Sequence, residues 1–297
     1  MAVTTASRAM RMPTSEEAAR QRRAGNLLKY VLLVVLMMVA LIPFILALLG
    51  TFKTDAEITA WPPTFLPKAW LIQNWPRVWQ TDLGQGATFP RWLLNTAVIA
   101  VGSALLQVVC CSMAAYAFAR LRFPGKDGVF AFMLASMMIP GAVTLIPSYV
   151  VMQKVGFINT YWSLLVPGAI SAGNIFLLTQ FLKAVPRELE EAAVVDGANR
   201  FTIYKDVVIP LARPAMLTVF ILQFQGMWNA YLSPLLYLQK PSIWVLNVAL
   251  TIFQQQYKAQ WNLTLVAAMF NAIPVLILFA FFNRYYIEGV SYAGVKG

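Results

Sequence analysis

The sequence predicts an all-α integral membrane protein with six spans and both termini on the cytoplasmic face, and three observations carry that expectation. First, 59% of the 297 residues are hydrophobic and only 12% are charged, where a water-soluble domain carries roughly a quarter charged residues. Second, five stretches hold no charged side chain at all: 92–119, 128–153, 155–182, 214–239 and 259–283. Third, the basic residues are distributed unevenly between the connections.

Residues 1–26 are polar and basic, with Arg8, Arg11, Arg20, Arg22 and Arg23, and are expected to form a disordered cytoplasmic arm. The membrane body then runs over 27–297. The apolar run 27–50 is longer than a signal-peptide core and is followed by no cleavage signal, so it reads as a retained first span. Five further segments approach the roughly 20 apolar residues a bilayer requires: 92–119, 128–150, 161–182, 214–236 and 263–284. With the N-terminus cytoplasmic, the inner segments hold 16 of the 23 Lys and Arg, as the positive-inside rule demands. Pro43, Pro140, Gly141, Pro147, Pro167, Gly168 and Pro274 interrupt the spans, which membrane helices tolerate because neighbouring groups satisfy the freed backbone. Trp61, Trp70, Trp75 and Trp79 fall in the first outer loop, and Trp92, Trp162, Trp244 and Trp261 at span ends, the pattern of an interfacial aromatic belt.

Several activities are excluded. Histidine is absent, which removes His-based acid/base catalysis and every His-containing metal site. Cys110 and Cys111 are adjacent in an apolar run and make no disulfide framework or metal quartet. The nearest fragment to a phosphate-binding loop, Gly125-Lys126-Asp127, lacks the hydroxyl and the upstream glycine, so the chain holds no such ATP site of its own. The net charge of +11 is spread over topology signals and forms no nucleic-acid stripe.

The loop 183–213 is unlike the rest. Five of the twelve acids lie in it: Glu188, Glu190, Glu191, Asp196 and Asp206. Pro186 suits the first turn of a helix whose N-terminal end favours the three glutamates. Gly197 suits the left-handed position that ends it, and a second short helix is expected over about 199–208, before Pro210. Ala192 and Ala193 leave a flat face that another protein's groove could approach closely. Taken alone, the same charges also fit an amphipathic loop lying on the membrane surface.

The series Glu191-Ala192-Ala193, Gly197, then Val207-x-Ile209-Pro210 resembles the E-A-A-x3-G-x9-I-x-L-P loop of ATP-binding-cassette (ABC) importer permeases. Ala115-Tyr116-Ala117-Phe118-Ala119-Arg120 with Phe123-Pro124-Gly125-Lys126, and Trp228-Asn229, are similar to the carbohydrate-uptake branch, specifically the shorter permease of the maltose-type pair. So are Ile139-Pro140 through Ile146-Pro147, Gly156, Asn159-Thr160 and the closing Gly289 to Gly297.

The resemblance implies the type I ABC importer permease fold in a bacterial or archaeal cytoplasmic (inner) membrane, and a transporter subunit that performs no covalent chemistry. It implies a second permease subunit, two ATPase subunits carrying ATP and Mg, an extracytoplasmic solute-binding protein, a sugar cargo and no nucleic acid. It assigns ATPase docking to Glu190, Glu191, Ala192, Ala193, Asp196 and Gly197, and ATPase contact to the tail Gly294, Val295, Lys296 and Gly297.

Amides within spans, Asn95, Gln107, Asn174, Gln180, Gln223, Gln225, Asn229 and Asn271, need partners or water in hydrocarbon. The cluster Gln223, Gln225, Trp228, Asn229 and Tyr231 is the candidate sugar-facing group, since amides and an aromatic plate suit hydroxyl-rich rings. The competing class is an ATP-independent secondary transporter or channel for a small neutral solute. That class would be expected to show an ionisable residue within a span and inverted repeats, and neither is found in the sequence.

Overall fold

A computed structural model describes residues 15–256 and 260–294. These residues form helices α1 (Ser15–Gly50), α2 (Asp55–Thr59), α3 (Asn74–Trp79), α4 (Phe89–Arg120), α5 (Lys126–Ser136), α6 (Gly141–Lys154) and α7 (Trp162–Gly168). They continue with α8 (Ala172–Ala184), α9 (Glu188–Val195), α10 (Arg200–Trp228), α11 (Leu232–Tyr237), α12 (Leu246–Gln256) and α13 (Trp261–Gly294). The β pairing among the described residues is one isolated bridge between Asp82 and Thr88. Among the described residues, four helices are long and apolar enough to cross a bilayer, and up to six spans result if each of two bent helix pairs counts once.

Two expectations, on the arm and on the 214–236 span, are corrected, and two spans bend. The arm is not disordered throughout, because α1 begins at Ser15; Glu16 and Glu17 suit a helix N-terminus, and Ala18, Ala19 and Ala24 are strong helix formers. The 128–150 span is not straight: α5 and α6 meet at 103°, because Pro140 has no N–H and pushes Ile139 out of helical geometry. The 161–182 span likewise bends by 42° between α7 and α8, where Ser171 turns extended and its hydroxyl accepts the N–H of Asn174. The 214–236 span is shifted. Its helix starts at Arg200 and ends at Trp228, and Leu232 to Tyr237 form the separate α11.

Pro210 therefore does not stop the helix. A π turn over Tyr204–Val208 precedes it, with the Ile209 N–H donating to the Tyr204 carbonyl. The wider turn accommodates a residue that cannot supply the next helical hydrogen bond.

The core is organised around α4. Cys111, Ala115, Tyr116 and Ala119 pack with Leu178 and Leu182 of α8 and Val208, Ala212, Ala215 and Val219 of α10. Ala100 and Ala104 pack against Phe224 and Trp228 of α10, while Phe89 and Trp92 pack with Leu246 and Ala249 of α12 and Val266 and Ala267 of α13. In a bilayer the apolar side chains gain little by leaving lipid, so close approach through small residues and hydrogen bonds between helices must hold such a bundle. At Gly168 the approach is close: a Cβ there would sit 2.8 Å from Ser103 Oγ and 3.2 Å from Gln223 Nε2.

Candidate functional site

The loop between α8 and α10 folds as two helices about a glycine elbow. Helix α9 starts at Glu188, two residues later than Pro186 suggests, with Arg187 as its N-cap. Gly197 takes φ +84°, and two hydrogen bonds close the helix: Ala198 N–H to Ala193 O at 2.9 Å and Gly197 N–H to Val194 O at 3.0 Å. These are the paired bonds of the Schellman motif. A Cβ at Gly197 would meet nothing within 4 Å, so glycine is required there by backbone conformation and not by space. Asn199 then caps α10, its Oδ1 accepting the Thr202 N–H at 2.9 Å.

The predicted docking residues divide between two environments. Glu191, Ala192, Asp196 and Gly197 are exposed, and Ala193 is half-buried against the core. Glu190 turns inward: its Oε1 lies 2.6 Å from Arg120 Nε, with the side chains only 12% and 4% exposed. The contact is an ion pair without the alignment of a hydrogen bond. Arg120 Nη2 also donates to Val185 O at 2.8 Å. Two turns back along α4, Ser112 Oγ and Tyr204 Oη lie 2.7 Å apart. Between them Tyr116 Oη reaches Arg200 O at 3.5 Å and packs against the Tyr204 ring.

Sequence reasoning missed this attachment, although Arg120 was visible as the first charge after a long apolar run. It also missed that large apolar side chains stand exposed among the loop's charges: Leu189, Val194, Val195 and Phe201 are 48%, 50%, 87% and 68% exposed. Of the predicted tail, Gly294 closes α13, and Val295, Lys296 and Gly297 lie outside the described residues.

The five predicted pathway residues do not share one face. Trp228 is 3% exposed, stacks on Phe224 and donates its Nε1–H to Asn271 O at 3.0 Å. Gln223 donates to Ser103 Oγ at 2.7 Å, joining α10 to α4. Gln225, Asn229 and Tyr231 remain exposed, and the first two stand one helical turn apart, with Asn229 Nδ2 donating to Gln225 O at 2.9 Å. Most of the other span amides join elements. Asn174 donates to Gln107, which donates to Gly168 O, and Asn271 donates to Asn247. Asn95 donates to Ser242 O and Trp244 O and accepts from Tyr161 Oη at 2.6 Å. The tryptophans also divide, with Trp61, Trp70, Trp162 and Trp261 exposed and Trp92 only 1% exposed.

Long apolar helices joined to a charged helix–glycine–helix loop define a multi-pass membrane subunit. The chain belongs to the family of binding-protein-dependent transport system inner membrane components, which it matches over residues 107–291. It is 32% identical over 270 residues to the putative ABC transporter permease protein ORF2 of a Caldicellulosiruptor species, covering 90% of this chain and 96% of that protein. It is 29% identical to the diacetylchitobiose uptake system permease protein NgcG of Streptomyces coelicolor, covering 92% of this chain and 90% of that one. Among solved structures it superposes with TM-score 0.76 on a chain of a bacterial ABC transporter involved in importing the acidic polysaccharide alginate. That likeness is at 25% identity and covers 90% of this chain and 98% of the other.

Proposed function

We propose that this subunit forms half of the translocation pathway of an ABC importer for a sugar or oligosaccharide in a bacterial or archaeal inner membrane, with both termini cytoplasmic. It pairs with a second permease, receives cargo from an extracytoplasmic binding protein, and is driven by two ATPase subunits that carry the ATP and Mg. Six spans, with each bent pair crossing once, place the 51–88 connection outside and α9 inside. The observation that carries the reading is the elbow at Gly197. It holds Glu191, Ala192, Val194 and Val195 outward on a short helix while Glu190 stays inside. Small and apolar groups among exposed carboxylates suit insertion into a groove on an ATPase subunit. The exposed Gln225, Asn229 and Tyr231 suit a neutral, hydroxyl-rich cargo, and relatives whose names specify saccharides support that class.

The reading is tested in the assembled transporter with Gly197→Asp. A side chain in the left-handed region costs about 1 kcal/mol or more, and the added carboxylate enters a surface already rich in acids. Membrane insertion is expected to be intact and ATP-driven uptake lost. Unchanged uptake by this variant contradicts the docking assignment.

A further inference from the structure

The attachment of the loop to α4 has a form that stability does not explain. Helix α9 has one buried residue, Glu190, and it is the acid member of the one ion pair within 4.0 Å among the described residues. A glutamate on a surface helix can remain hydrated at no cost. Burying it beside a guanidinium sacrifices hydration that the Coulomb attraction only roughly returns, so such pairs add little net stability and are better attested as devices that fix register. Here the register fixed is that of α9 on the end of α4.

The second helix of the loop is attached to the same face. Ser112, Tyr116 and Arg120 follow one another at four-residue spacing, covering about 12 Å of one side of α4. They engage Tyr204, the Arg200 carbonyl and Glu190 in turn. Tyr204 opens the π turn, a local geometry that is rare in helices and frequent at functional sites. Both halves of the loop therefore bear on a single helix, and that helix also carries the small residues against which α8 and α10 pack.

We infer that Arg120 and Glu190, assisted by the Ser112–Tyr204 contact, are positioning residues that pass displacement of the docking loop into α4 and so couple the ATPase cycle to the pathway. The inference rests on the docking reading and adds to it the internal route. A groove pulling on α9 acts on α4 through one buried ion pair, while its pull on the Gly197 elbow reaches α4 through Tyr204.

The test uses the complete transporter in proteoliposomes, with its binding protein and cargo, and reads sugar imported per ATP hydrolysed together with retention of the ATPase subunits. Glu190→Gln keeps the shape of the side chain and removes its charge. It is expected to retain the ATPase and lower import per ATP roughly fivefold to tenfold, the lower range of couplings between sites. Arg120→Gln is expected to do the same, Arg120→Lys to stay within about twofold of the parent, and the exchange Arg120→Glu with Glu190→Arg to recover most of the loss. If Arg120→Gln fails to assemble, Glu190→Gln and the exchange variant carry the test. Import per ATP unchanged in Glu190→Gln, Arg120→Lys as defective as Arg120→Gln, or an exchange no better than either single change each overturns the inference. Failure of the parent chain to retain an ATPase defeats the docking reading instead, so the two failures are distinguishable.

Discussion

The two ends of α4 are secured by different chemistry. At the Phe89 end, Trp92 Nε1–H donates to Pro241 O at 2.8 Å, Asn95 Nδ2–H donates to two carbonyls, and Thr96 Oγ1 accepts the Leu246 N–H at 2.8 Å. Those partners are backbone groups carrying no net charge. At the Arg120 end the partners are a carboxylate, a phenol and two carbonyls, contributed by a loop whose opposite side is exposed. One end is anchored; the other is held by a few polar contacts at the root of the charged 183–213 loop. A transporter needs both, because a helix that is to be moved at one end requires a fixed point at the other.

The comparison predicts that damage at the two ends separates. Asn95→Ala removes two donated bonds and leaves the Tyr161 hydroxyl without its acceptor. It is expected to destabilise the protein by about 2 kcal/mol, visible as a lowered unfolding temperature of the assembled transporter, with import per ATP in the surviving protein unchanged. A large uncoupling by Asn95→Ala with no loss of stability would break the distinction, since the anchor would then be part of the moving route.

A smaller effect concerns the 51–88 connection beside the anchored end. The Glu57 carboxylate accepts the Lys68 N–H at 3.0 Å and the Thr64 hydroxyl at 2.9 Å. Lys53 Nζ in turn donates to Thr64 O. Burial by itself raises the Glu57 pKa; the two hydrogen bonds and the charges of Lys53 and Lys68 more than offset this and hold it below its ordinary 4.5. A group bound more tightly when ionised contributes stability above its unfolded value and loses it as pH falls through the lowered folded value. Protease resistance of this connection is therefore expected to be constant at neutral pH and to decline below about pH 4.5. Glu57→Gln should abolish that decline, and a Glu57→Gln connection that still loosens in the same window would place the titrating group elsewhere.

Much of the fold was legible in the sequence, because long charge-free stretches can only be satisfied in a bilayer or a large core. The elbow was legible too: glycine before Asn199 and after an acidic helix start specifies a left-handed cap, and Gly197 adopts it. What was not legible depended on tertiary context. Pro140 and Ser171 could have been tolerated kinks or true breaks, and packing decides between them. Pro210 read as a stop, and the π turn that carries the helix past it has no pattern of its own. Trp228 and Gln223 suggested a sugar surface by residue type, yet face Phe224 and Ser103. The burial of Glu190 was hidden because its neighbour Glu191 is chemically identical, and only the Arg120 end of α4 distinguishes them.

Docking of an ATPase by the 183–213 loop, on the face opposite the 51–88 connection, can be read by site-specific thiol cross-linking in whole transporter vesicles. Val195→Cys replaces an exposed residue beside the elbow, and Ile72→Cys replaces an exposed residue at the other end; they are 87% and 67% exposed. The parent chain, with Cys110 and Cys111, is the background. An ATPase adduct is expected from Val195→Cys and none from Ile72→Cys. An ATPase adduct from Ile72→Cys, or labelling of Val195→Cys from the side that receives the binding protein, would contradict it.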